Sequence, residues 1–206
     1  MTAVRPLVLD AVERVLVLCL YGGLVVRIVA GFRSGGAGLG NLLLLASEGM
    51  ILVFVLVRRT TSDVSLSVPE WLLAIAATCL PMLVAPAPWR PLVPPFAGAV
   101  LLMVGMFFQV HAKVILGRSF GCVPANRGLK AAGPYRFVRH PMYAGYLVCH
   151  VAFLLMNPSL RNFALYAGCL GLQIPRLLAE ERLLGRDEAY RRYQSAVRYR
   201  LVPGVF

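Results

Sequence analysis

Six apolar segments, at about residues 11–30, 41–57, 69–87, 95–117, 142–157 and 160–179, constrain this chain more than anything else in it. Each approaches the roughly 20 residues that a helix needs to cross the hydrocarbon core of a bilayer. The composition agrees: 59% of the residues are hydrophobic and 15% charged, with a mean hydropathy of +0.73, too apolar for an ordinary soluble domain. The expected fold is all-α, a polytopic transmembrane bundle. Six spans is the simplest count. The fifth and sixth segments are short and separated only by Asn157-Pro158-Ser159, so a tight hairpin that barely reaches the far side, and a count of five, is the other possibility. The run from Ala11 to Ala30, preceded by Arg5, is long enough to span and is read as an uncleaved first helix.

Charge assigns the sides. The chain carries 21 Lys and Arg against 9 Asp and Glu, a net charge of +12. These charges fall in the gaps and the tail, which suits anionic headgroups and the positive-inside rule better than a groove for a nucleic-acid duplex. The loops after spans two, four and six hold Arg58, Arg59, Arg118, Arg127, Lys130, Arg136, Arg139 and the tail arginines. Arg33, Arg90 and Arg161 lie on the other side, with Arg27 near a helix end. By the positive-inside rule both termini face the cytoplasm across the plasma membrane. Gly31 to Gly40, with five glycines, reads as a flexible connector. Pro69-Glu70 reads as a helix start, and Trp89 as an interfacial anchor. From Glu180 to Arg200 apolar and arginine positions alternate at three- and four-residue spacing, the pattern of an amphipathic helix on the cytoplasmic side, broken at Gly185.

Of the cysteines, Cys19, Cys79, Cys149 and Cys169 lie in apolar runs and read as small core residues. Cys122 alone lies in a polar loop and is expected to be accessible. No C-x-x-C or histidine spacing points to a metal. His111 and His150 read as helix-contact residues. Gln109 and Lys113 share a helical face, with Lys113 expected to snorkel to the interface.

Chemistry concentrates in Gly133-Pro134-Tyr135-Arg136-Phe137-Val138-Arg139-His140-Pro141-Met142-Tyr143-Ala144-Gly145. Prolines at 134 and 141 prevent one regular helix and let a helix start at Pro141, with His140 at its N-terminal end. Arg136 and Arg139 beside that end suit an anion. The basic residues could simply hold lipid phosphate, but ionisable groups at a membrane boundary weigh toward a ligand site. Glu180-Glu181 closes the sixth segment. Adjacent helical residues point about 100° apart, so the two cannot act on one atom. One is free to face inward while the other pairs with Arg176 or Arg182, or both are surface charges.

The combined pattern, Gly133-Pro134-Tyr135-Arg136-x-x-Arg139-His140-Pro141-x-Tyr143-x-Gly145, then Glu180-Glu181, then Tyr190-x-x-Tyr193-x-x-x-Val197-x-x-Arg200-x-x-Pro203, resembles the isoprenylcysteine carboxyl methyltransferase family, relatives of the phospholipid methyltransferases. The match runs from Gly117 onward. The resemblance implies transmembrane helices over 1–116 and a cofactor-binding, catalytic part over 117–206. It implies S-adenosylmethionine as methyl donor and a lipid or isoprenoid-like acceptor entering from the bilayer, with no metal. It also implies a cofactor pocket of Gly133, Tyr135, His140, Pro141, Tyr143, Glu180 and Glu181, with Arg139 and Arg200 orienting the acceptor. Carboxylate O-methylation is the favoured reaction, since that acceptor needs no general base. Phospholipid amine N-methylation, a steroid-reductase-like activity with NADPH, and a non-enzymatic scaffold or transporter are the alternatives.

Overall fold

A computed structural model describes residues 4–33 and 39–206. The middle of the glycine-rich connector, 34–38, lies outside the described residues. Among the described residues seven α-helices follow in order: α1 Val4–Arg33, α2 Leu39–Val57, α3 Val68–Cys79, α4 Pro95–Leu116, α5 Pro141–Met156, α6 Leu160–Leu184 and α7 Glu188–Ala196. Among the described residues there is no strand, only an isolated bridge between Val64 and Ala125. Every apolar segment forms a helix, although the third stops at Cys79, passes through a 3₁₀ turn over Leu80–Leu83 and is irregular over 84–87. Within the described residues two helices, Pro6–Gly31 and Pro95–Ser119, are long and apolar enough to cross a bilayer by themselves.

The boundaries follow local chemistry. Pro69 sits in the first turn of α3 with Glu70 beside it, as expected where a missing N–H costs nothing and a carboxylate meets the positive helix end. Pro141 starts α5, leaving His140 as the residue before the first turn. The α5–α6 hairpin is closed by Ser159, whose side chain accepts from the Asn162 amide, and by buried Asn162, which donates to the Ala85 and Asn157 carbonyls at 2.9 and 3.0 Å. At 16 residues, α5 is about 24 Å long, short of the roughly 30 Å hydrocarbon core. Gly185 follows the end of α6, and α7 packs back through Tyr190, Tyr193 and Val197 onto Leu184.

Helices α4 and α5 make the closest pairing of the bundle, with α1 beside α2 and α3 beside α6. Glycine permits it. A Cβ on Gly145 would stand 2.6 Å from the Gln109 backbone nitrogen, and one on Gly105 would stand 2.8 Å from that of Cys149. Small residues at such crossings let backbones approach where lipid offers no hydrophobic drive.

One expected surface charge is inside. Lys113 is fully buried, donating to Ser47 Oγ at 2.8 Å and pairing with Glu48 at 3.3 Å. It does not snorkel, because α2 supplies the acceptors and counter-charge within the bundle.

Candidate active site

The site is built where the long polar excursion between α4 and α5 meets the end of α6 and the tail. Gly133 adopts a φ of +57° in a 3₁₀ turn. A Cβ there would lie 3.2 Å from His111 Nε2 and 3.3 Å from Ile115 Cγ1, so glycine seats the turn on α4. Pro134 and Tyr135 behind it are buried. The tail is then strapped to the next residues: the backbone N–H groups of Arg139 and His140 donate to the carbonyls of Tyr199 and Arg200, each at 2.9 Å. From α7, Tyr193 donates its hydroxyl to the Tyr135 carbonyl at 2.7 Å. Burial pushes the Tyr193 hydroxyl up to about 12 and raises that of Tyr135 as well, so both stay protonated donors at neutral pH.

Glu181 is the hub. It is buried, with His140 Nε2 and Arg139 Nε each 3.1 Å from Oε1 and Arg200 Nε 2.9 Å from Oε2. Among the described residues Arg139 Nε lies in ion-pair range of Glu181 without a hydrogen bond. Burial by itself would raise the Glu181 carboxyl, but hydrogen bonds from His140 and Arg200 and the nearby charges outweigh it and lower it. Glu180 faces elsewhere: its Oε2 accepts from the Tyr143 hydroxyl at 3.3 Å, and it forms no ion pair among the described residues. Neither suggested arginine joins the pair, since Arg182 reaches Glu70 at 3.4 Å and Arg176 points to Cys122. Arg136 is exposed.

Cavities lie on both sides of Tyr143. Two small ones, of about 70 and 60 Å³, share Ser119, Arg127, Tyr135, Arg139, His140 and Glu180 as walls. A third, of about 550 Å³, is lined mainly by apolar groups of α1, α3, α5 and α6. Tyr143 and Met142 border the large cavity and one small one. The Tyr143 ring stacks on His140 at 5.7 Å between centroids and carries the Arg176 guanidinium at 5.4 Å. An apolar groove between α5 and α6 shares Tyr146, His150, Tyr166 and Gln173 with the large cavity.

Among the predicted residues, Tyr135, Arg139, His140 and Glu180 therefore line the small cavities, and Tyr143 lines one of them. Glu181 and Arg200 meet behind His140, and Arg139 and Arg200 face Glu181 rather than the large cavity. Gly133 and Pro141 shape the backbone.

The donor set suits S-adenosylmethionine. Among the described residues Glu180 is a carboxylate outside any ion pair, and the buried Tyr190 hydroxyl on the wall has no hydrogen-bond partner. An ammonium or ribose diol satisfies such groups. The small cavities, of about 70 and 60 Å³, fall below the roughly 300 Å³ of usual ligand sites.

Cys122 is not accessible. It is buried, 3.3 Å from Thr78 Oγ1, and its carbonyl accepts from Arg176 at 2.7 Å. His111 is exposed against Phe107, and His150 stacks on Tyr166 at 4.4 Å. A cluster that charge counting alone does not find ties the excursion to α1. Arg127 reaches Asp10 and Glu13 at 2.8 and 2.6 Å, and Arg58 lies 3.1 Å from each acid. Glu13 Oε1 also accepts from the Cys122 and Val123 amides at 2.6 and 2.9 Å. The signal was present: two acids three apart at the start of an apolar helix need buried partners.

Residues 94–190 match the sequence model of the phospholipid methyltransferase family. No curated protein gives a significant match. Among solved structures, the eukaryotic intramembrane Ras methyltransferase ICMT (isoprenylcysteine carboxyl methyltransferase) is similar, with a TM-score of 0.53 and 17% identity over 88% of this chain and 68% of that one. The resemblance read from the C-terminal half is borne out. At this identity the structural likeness speaks for the fold alone, and with the family match it supports an integral membrane methyltransferase.

Proposed function

We propose that this chain transfers the methyl group of S-adenosylmethionine to a lipid-like acceptor in the plasma membrane, with both termini and the cofactor side facing the cytoplasm. The observation that carries the reading is the position of Tyr143 as a shared wall between a small polar cavity and a large, mostly apolar one. A polar cofactor and a lipid acceptor need that arrangement, because their reacting atoms must meet while most of each stays in its own solvent.

In this reading Glu180 takes the ammonium or ribose of the cofactor and Arg139 its carboxylate, with Tyr135, His140 and Tyr143 completing the wall. When bound, the cofactor supplies an electrophilic methyl on a sulfonium. The protein contributes alignment and a dry cavity, which is where the rate enhancement of such a displacement comes from. Glu181 acts through others: by holding Arg139, His140 and Arg200 it positions the pocket. Carboxylate O-methylation is the favoured reaction. The family match to phospholipid methyltransferases favours a second reading, N-methylation of a phospholipid amine.

Calorimetric titration of the purified protein in detergent tests the cofactor. Binding of S-adenosylhomocysteine without binding of NADPH is expected. NADPH binding alone, or binding of neither, overturns the reading. Methyl-labelled donor with a membrane lipid extract then separates base-labile esters from methylated amines.

A further inference from the structure

Five cationic side chains are buried among the described residues: Arg58, Lys113, Arg127, Arg139 and Arg176. Four of them have a carboxylate within ion-pair range, namely Asp10 and Glu13 for Arg58 and Arg127, Glu48 for Lys113 and Glu181 for Arg139. Arg176 has none within 4.0 Å among the described residues, although it is only 6% exposed. Its Nη2 donates to the Cys122 carbonyl at 2.7 Å, Nη1 reaches Gln173 Oε1 at 3.4 Å, and Nε is buried without a partner. Glu180, one helical turn along α6, is engaged by Tyr143 instead. A buried guanidinium without a counter-ion is costly to maintain. This one lines the 550 Å³ cavity, against the Tyr143 face.

We propose that Arg176 is the head-group anchor of that cavity and that it selects a long-chain carboxylate. The proposal rests on the methyl-transfer reading and adds the acceptor's chemical class and the residue that reads it. The apolar walls around Met82, Phe153 and Tyr166 take the chain, and the head is held beside Tyr143, the wall shared with the cofactor side. A fixed cation repels an ammonium head. Glu48, the acid on that wall, is already paired with Lys113, and the wall's second arginine, Arg27, is exposed on α1 rather than buried beside Tyr143. His150, the remaining base there, is seven residues beyond Tyr143 on α5, about 10 Å along the axis, too far to take a proton from an amine at the shared wall. A carboxylate needs no base. One of its oxygens donates a lone pair to the methyl carbon, the carbon–sulfur bond breaks with its electrons going to sulfur, and a neutral methyl ester and S-adenosylhomocysteine result.

The test uses three diazirine photoprobes of equal C16 chain length, bearing a carboxylate, an alcohol or an amine, on the full chain in detergent, with crosslinks mapped by mass spectrometry. The expected result is carboxylate-selective labelling of cavity residues in the wild type, at least tenfold weaker in Arg176→Gln and partly restored in Arg176→Lys. S-adenosylhomocysteine affinity stays within threefold in both variants. Equal labelling by all three probes in the wild type overturns the anchor whether or not the variants fold, and so does selective labelling that survives Arg176→Gln. Because the probes are read without turnover, loss of homocysteine-product binding in the wild type sinks the methyl-transfer reading while leaving the anion subsite to be judged on its own labelling.

Discussion

Tyr143 donates its hydroxyl to Glu180 at 3.3 Å and so joins the first turn of α5 to the end of α6. The same side chain closes a small polar cavity on one side and a large apolar one on the other. Tyr143→Phe keeps the ring and removes that single bond. At about 1 kcal/mol for such a bond, S-adenosylhomocysteine binding is expected to weaken about fivefold by calorimetry. Unchanged affinity places Glu180 outside the cofactor site.

The two adjacent glutamates are expected to fail differently. Glu181→Gln leaves Arg139, His140 and Arg200 without their shared anion, and breaking a buried ion pair costs about 3–5 kcal/mol. The unfolding midpoint in detergent should fall by more than about 6 °C, at the usual 2–4 °C per kcal/mol for a chain of this size. Glu180→Gln breaks no ion pair and should leave the midpoint within about 2 °C while reducing homocysteine-product binding more than tenfold, from the loss of a charge-assisted contact. Equal effects on stability contradict this division.

Acid sensitivity should trace to Glu181. Its carboxyl is lowered in the folded chain, burial being outweighed by His140 and Arg200, so the unfolded chain binds the proton more readily than the folded one. The stabilisation is therefore full above the ordinary glutamate range, near about 4.3, and is lost as pH falls through the lowered folded value. Unfolding midpoints between pH 6 and 3 should decline less steeply in Glu181→Gln than in the wild type. Parallel curves assign the acid loss to other groups.

Arg127 ties the excursion to α1, within a cluster of two acids, Asp10 and Glu13, and three arginines, Arg14, Arg58 and Arg127. Arg127→Met leaves Asp10 and Glu13 to Arg58, with Arg14 at 4.0 Å from Asp10 as the other cation, and should destabilise by about 3–5 kcal/mol. In a double-mutant cycle with Glu13→Gln the two changes should couple by at least about 1 kcal/mol. Additive losses show that the cluster does not act as a unit.

Gly145→Ala tests the α4–α5 crossing. The added Cβ would meet the Gln109 backbone nitrogen at 2.6 Å, and backbone cannot yield as a side-chain tip can. A loss of about 1–3 kcal/mol is expected, the usual cost of overpacking, read as a lower unfolding midpoint. Gly22→Ala, where nothing lies within 4 Å, is the control and should not destabilise.

The sequence by itself determined the helices. Periods of apolar residues, prolines at 69 and 141 and the glycine at 185 act locally, through a missing N–H or a lost helix propensity, and each boundary appears where they put it. The three parts of the site were legible too, because their residue types are dense and unusual between apolar runs. Tertiary structure alone decided the partners. An ion pair depends on which helices cross, so the partners in Glu181 gathering Arg200 across 19 residues, Lys113 meeting Glu48, and Asp10 and Glu13 capturing Arg127 could not be paired locally, although the need of the two α1 acids for buried partners was visible. Burial is a property of the assembled bundle for the same reason. It turned Cys122 from a loop residue into a core one, and it left Arg176, a charge inside the sixth apolar segment, as the buried cation of the large cavity.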